Sequence, residues 1–243
     1  MLSYTNCNLC PRKCGVDRTK GQLGFCQEPD KIFAARAAAH YWEEPVISGS
    51  FGSGAVFFSG CTLQCCFCQN GIISQEHLGK EISTKHLREI FLRLIDDGVQ
   101  NINLVTPTQF LPSILPALEP KLPVPVVYNC GGYERVETLR ELVGLIDIYL
   151  PDMKYSDAKL AAKLSAAPDY VETAKAAIME MYRQVGPAVI EDEIMKRGII
   201  VRHLVLPGQI DNSLDVLDWF SDAFPQGDVL FSLMSQYVPM GKA

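Results

Sequence analysis

Six short apolar runs punctuate the chain, each closed by turn residues: 55–59, 101–105, 124–128, 146–150, 199–205 and 229–233. Runs of this length, bounded by Gly, Pro, Asn or Asp, predict buried strands. Between the first two, Leu87, Ile90, Phe91, Leu94 and Ile95 recur at helical spacing. Ser83 is placed to cap that helix at its start and Asp97-Gly98 to close it. Further helices are predicted over 134–143, 158–164, 171–185 and 212–220, the third ended by Gly186-Pro187. Strands alternating with helices predict an α/β protein of parallel units with right-handed crossovers. Six units are fewer than the eight of a closed barrel. The run after the sixth strand is too short for a closing helix, as in a shortened gene product.

The first 30 residues break this pattern and have little apolar periodicity. Residues 31–53 read as an extended segment and then a loop. Two parts are therefore expected: 1–53, a cysteine-rich N-terminal module with its lead-in loop, and 54–243, the β/α part.

Composition narrows the function classes. Hydrophobic residues are 48% and charged residues 21% of 243, as in an ordinary globular protein. Net charge is -6, without a basic run, so nucleic acid is not expected as a partner. No apolar stretch approaches the roughly 20 residues of a membrane span. The N-terminus, MLSYTNCNLCPRKC, has no apolar signal core, so a cytoplasmic protein without a membrane partner is expected.

Nine cysteines are many for a reducing compartment, where thiols serve as metal ligands or catalytic groups more often than in disulfides. Cys61, Cys65 and Cys68 follow the first strand with spacing C-x3-C-x2-C. Three such thiolates can hold three corners of a [4Fe-4S] cluster, leaving one iron open to a substrate. A zinc knuckle is the alternative, but zinc usually takes paired C-x2-C hooks and four protein ligands. Cys66 lies between the ligands and is expected to be structural. Cys7, Cys10, Cys14 and Cys26 form a second set, able to hold zinc or a second iron–sulfur cluster. Free structural thiols are the alternative.

The cysteine motif resembles that of the radical S-adenosylmethionine superfamily. Together with Asp152-Met153-Lys154, the strand Arg202–Gly208 and the N-terminal CNLCPRKCG, it is similar to the uncharacterised subfamily likened to pyruvate formate-lyase activating enzymes. The resemblance implies a partial (β/α)6 TIM-like barrel. It also implies reductive cleavage of S-adenosylmethionine to a 5'-deoxyadenosyl radical that abstracts hydrogen, as in activation of a glycyl radical enzyme. A reducing donor of flavodoxin or ferredoxin type is implied, with an unidentified protein or small-molecule substrate. Radical modification of another molecule and non-enzymatic electron transfer are the competing readings.

The same resemblance places cofactor contacts after each strand. Phe67 occupies the aromatic position beside the adenine. Thr106 and Thr108 stand where many members carry Gly-Gly-Glu, so their hydroxyls would replace that contact; a helix-capping turn is the alternative. Asn129 matches a ribose or cation contact. Lys154 would face the methionyl carboxylate, with Asp152 orienting it; a surface ion pair is the alternative. Arg202 lies in a run too apolar for solvent, so its charge needs a carboxylate partner, from cofactor or from an acidic neighbour. His203 points the other way and is expected to be structural. Gln236 is placed at the rim. The stretch His40–Pro45 is dense in polar and aromatic groups, as in a loop closing over a site.

Overall fold

The computed structural model describes residues 2–240. Its centre is a mixed sheet of nine strands: β1 Ile32–His40, β2 Ser53–Phe58, β3 Lys80–Ile82, β4 Ile102–Val105, β5 Val126–Cys130, β6 Ile148–Pro151, β7 Val189–Glu191, β8 Ile194–Leu204 and β9 Leu230–Met234. Six of them, β2-β4-β5-β6-β8-β9, run parallel in chain order. These six correspond to the six apolar runs. β1 and β3 extend the β2 edge antiparallel, and β7 folds back on β8 as a hairpin. The sheet therefore begins at Ile32, inside the segment assigned to the N-terminal part.

Local chemistry sets the helices. Thr84–Asp96 starts where the Ser83 hydroxyl accepts the His86 N–H, as its sequence predicts. Ala158–Ser165 is capped by Asp157 in the same way. Tyr170–Val185 stops at Gly186, whose φ of 68° ends the helical path. Ile210–Ala223 is longer than the 212–220 expected, and the 134–143 helix shortens to Val136–Arg140. Between β4 and β5 the chain makes only short helical turns, Thr108–Phe110, Leu111–Ile114 and Leu115–Leu118. Pro112 and Pro116 lack the N–H that a longer helix would need.

Strand alternation sends side chains to two faces. Tyr128, Tyr149, Ile199 and Val201 join the large core, where the helices pack. Their neighbours Val127, Ile148, Leu150 and Ile200 form a smaller cluster with Ile47 and Met195 on the opposite face. Two residues further along, on that second face, stand Asn129, Asp152 and Arg202. The small cluster is thus the floor beneath a polar site.

The N-terminal residues are pinned to the body by long basic side chains. Arg18 is buried and donates to the carbonyls of Gln109 (2.6 Å) and Pro29. Arg12 donates to the carbonyls of Thr62 and Ser165, both at 2.9 Å, and of Ala166. Thr138 and Arg135 donate to Leu9 and Asn8. Among the described residues no helix is long and apolar enough to cross a membrane.

Candidate functional site

A cleft of about 350 Å³ opens at the carboxyl ends of the parallel strands. Crevices at this end of α/β sheets are where ligands bind, and this volume is within the usual ligand range. Each parallel strand contributes: Cys61, Cys65 and Cys68 after β2, Thr106 after β4, Asn129 and Gly131 at β5, Asp152 and Lys154 after β6, Arg202 on β8 and Gln236 after β9. Phe67 also lines it, its ring 6.5 Å from that of Tyr237.

The three thiols of the motif share this cleft, whereas Cys66 is not among its lining residues. The loop reaches the position through left-handed residues, Gly60 at φ 73° and Gln64 at φ 52°. A Cβ on Gly60 would come within 2.5 Å of Glu28, so glycine is required there. Each sulfur faces a donor in the chain. The Leu63 N–H points to Cys61 Sγ at 3.4 Å, Ser165 Oγ to Cys65 Sγ at 2.9 Å and Ser74 Oγ to Cys68 Sγ at 3.3 Å. Burial, then the neighbouring Cys65, pushes the Cys61 thiol up to about 12. Burial likewise raises Cys65, against the lowering effect of Lys154. Metal binding at Cys61 and Cys65 therefore releases their protons.

Among the described residues no three Cys, His, Asp or Glu side chains are arranged around a single metal ion. A cubane cluster takes each thiolate on a different iron, so its ligands stand around a volume and not a point. Three thiols on one cleft, each facing a hydrogen-bond donor, suit that group by donor chemistry. The second set is also drawn together. Cys10 is raised by burial, with Cys26 and Cys14 adding to it, and Cys26 is raised by burial with Cys7 among its neighbours. Cys7, Cys10 and Cys26 are buried.

The polar floor is an ion-pair network. Arg202 donates from all three nitrogens: Nε to Asp152 (2.9 Å), one terminal nitrogen to Glu43 (2.8 Å) and the other to Asn129 (2.8 Å). The other Glu43 oxygen accepts from Asn129 (3.0 Å) and Asn103 (3.1 Å). Lys154 pairs with the second Asp152 oxygen. Two cations thus meet two carboxylates. Burial works against each charge, but the pairing wins: Asp152 is held below the usual carboxylate range, while Lys154 and Arg202 are held above theirs.

Arg202 therefore meets the acidic-neighbour alternative, because each of its three nitrogens already donates within the chain. Lys154 keeps a partly exposed ammonium beside the thiol loop, which an anion in the cleft can reach. Thr106 lines the cleft in the left-handed region at φ 56°, an uncommon conformation for threonine. Thr108 does not line it. Its hydroxyl donates to buried Glu134 at 2.7 Å and lies 3.1 Å from the Tyr128 hydroxyl. His203 is buried between the Met153 carbonyl and the Ser213 hydroxyl, a structural role. The missed residue is Glu43, hidden in a stretch read only as a closing loop.

Across known proteins, the chain is 31% identical over 251 aligned positions to the Methanocaldococcus jannaschii protein named Uncharacterized protein MJ0674, covering 99% of this chain and 68% of that one. No protein-family model matches it. The structure is similar to Streptococcus suis SuiB, with a TM-score of 0.50 and 16% identity over 76% of this chain; the chain spans 40% of that protein. A structure of SuiB bound to S-adenosylmethionine aligns at TM-score 0.47 and 14% identity, over 75% of this chain and 38% of that one.

Proposed function

We propose, from the premise that this chain belongs to the same family as MJ0674, that it is a radical S-adenosylmethionine enzyme built on a partial (β/α)6 barrel. One observation carries the reading: Cys61, Cys65 and Cys68 share a cleft at the carboxyl ends of six parallel strands, each sulfur facing a donor. The sequential parallel order and the likeness in fold to SuiB support it. When bound, a [4Fe-4S] cluster with S-adenosylmethionine would supply reductive cleavage and a 5'-deoxyadenosyl radical.

The residues of this chain bind, orient and exclude water. The three cysteines would hold the cluster. Phe67 offers an apolar surface for a purine. Asn129 and Gly131, which carries no side chain, also line the cleft. Lys154 supplies a point charge for a carboxylate. The Glu43–Arg202–Asp152 network keeps the floor rigid and Lys154 aimed. Thr106 and Gln236 line it too.

Hydrogen abstraction from a glycine of a partner enzyme is the finer proposal, carried by the sequence resemblance. A low-potential flavodoxin- or ferredoxin-type donor would supply the electron. The N-terminal thiols are proposed as a second metal site, zinc or iron–sulfur.

The test is anaerobic reconstitution with iron and sulfide, reduction with dithionite and an assay for 5'-deoxyadenosine. Formation of the nucleoside is expected. A chain that loads iron yet forms none is an electron-transfer protein instead.

A further inference from the structure

Of the three motif sulfurs, Cys65 alone is served by a buried two-step hydrogen-bond chain. Ser165 Oγ lies 2.9 Å from Cys65 Sγ, and the Tyr155 hydroxyl lies 2.6 Å from Ser165 Oγ. All three residues are buried, with Tyr155 fully so. Ser165 has one proton. Against a cluster-bound thiolate, which can only accept, Ser165 spends its proton on the sulfur and Tyr155 must donate to Ser165. The contacts at Cys61, from the Leu63 N–H, and at Cys68, from Ser74, are longer, at 3.4 and 3.3 Å.

Ser165 is also the best held of these donors. It ends the helix Ala158–Ser165, and that helix end is docked on the cysteine loop. The Cys66 N–H donates to the Leu164 carbonyl at 2.9 Å. Arg12 ties the carbonyls of Thr62, Ser165 and Ala166 together. Its guanidinium lies 3.7 Å from the Phe25 ring centre, which limits its own freedom. Hydroxyl, helix end and loop therefore move as one unit.

We propose that Ser165, backed by Tyr155, is a positioning residue that makes the cluster easier to reduce through Cys65. This rests on reading Cys61, Cys65 and Cys68 as cluster ligands. Adding an electron raises the negative charge shared with the ligand sulfurs. A donor aimed at one sulfur stabilises the reduced form more than the oxidised form, and hydrogen bonds to sulfur are among the features that set such potentials. A second donor behind the first strengthens it by polarisation. The electron comes from an external low-potential donor, and no proton leaves the chain of hydroxyls.

The experiment measures the midpoint potential of the reconstituted full-length protein by reductive titration followed by paramagnetic resonance. Iron and sulfide are counted in each sample. Ser165→Ala and Tyr155→Phe are expected to shift the potential to more negative values at unchanged iron content, with the larger shift in Ser165→Ala. Ser165→Thr keeps the hydroxyl and is expected to hold the potential close to the unsubstituted value. If Ser165→Ala fails to fold, Tyr155→Phe decides alone. Full iron content with an unshifted potential in these variants overturns the proposal. A wild-type chain that takes up no iron–sulfur cluster overturns the functional reading itself, and is visible before any variant is compared.

Discussion

Glu43 has partners from β4, β5 and β8, and its environment decides what loss of Arg202 would do. Arg202→Met leaves two partly buried carboxylates, Glu43 and Asp152, without their shared cation. Removing one partner from a fully buried pair costs about 3–5 kcal/mol, and this partly buried one is expected near the lower end. The expected outcome is a large drop in the denaturant midpoint, with S-adenosylmethionine affinity changed less than in Lys154→Met. Equal affinity losses and unchanged stability would return Arg202 to a direct ligand role. Glu134 gives a second residue-scale expectation. Burial raises its carboxyl to about 8, against hydrogen bonds from Thr108 and Tyr128. Between the ordinary carboxylate value and that pH, the unfolded chain gives up a proton that the folded chain keeps. Stability then falls as pH rises from about 4.5 to 8, by a few kcal/mol in total. Glu134→Gln is expected to flatten that slope in urea melts across this range. The three-cysteine motif was legible in sequence because its spacing is local. Glu43 was not: its partner Arg202 lies 159 residues away, and only the folded sheet reveals the pairing.

The elements differ in the same way. The six parallel strands were readable as continuous apolar runs because both faces are buried, one under helices and the other under the small cluster and cleft. The β7–β8 hairpin was not readable. Its two-residue turn is Asp192-Glu193, both left-handed at φ 49° and 66°, where Asn-Gly would be the usual signal. Replacing the pair by Asn-Gly is expected to stabilise the protein by about 1 kcal/mol, since neither residue would then be strained. Thermal melting checks this. Gly132 sets an opposite limit. Its φ is 78°, and an added Cβ would sit 2.1 Å from the Asp152 carbonyl. Gly132→Ala is expected to force β5 and β6 apart at the site and to lower both melting temperature and cofactor affinity.

At the scale of the whole molecule, the two cysteine sets make separable predictions. Cys65→Ala is expected to abolish the cleft cluster, read as lost iron and lost paramagnetic signal, while metal on the N-terminal set remains. In the triple variant lacking Cys61, Cys65 and Cys68, elemental analysis is expected to find zinc or residual iron. Absence of both, in a folded protein, would show that Cys7, Cys10, Cys14 and Cys26 are ordinary thiols.

Arg12 also has a meaning for synthesis. It is made well before one of its carbonyl partners, Ala166, which lies 154 positions later. At ribosomal rates of about 5–20 residues per second, that gap lasts roughly 8–30 s. Throughout it, the N-terminal segment lacks the helix end against which it finally rests. Its thiols, together with those of the following loop, wait in the open, available to oxidants and to stray metal. The nascent chain is therefore most vulnerable before the crossover helix emerges, and oxygen or metal stress during translation would damage it more than the same stress applied afterwards.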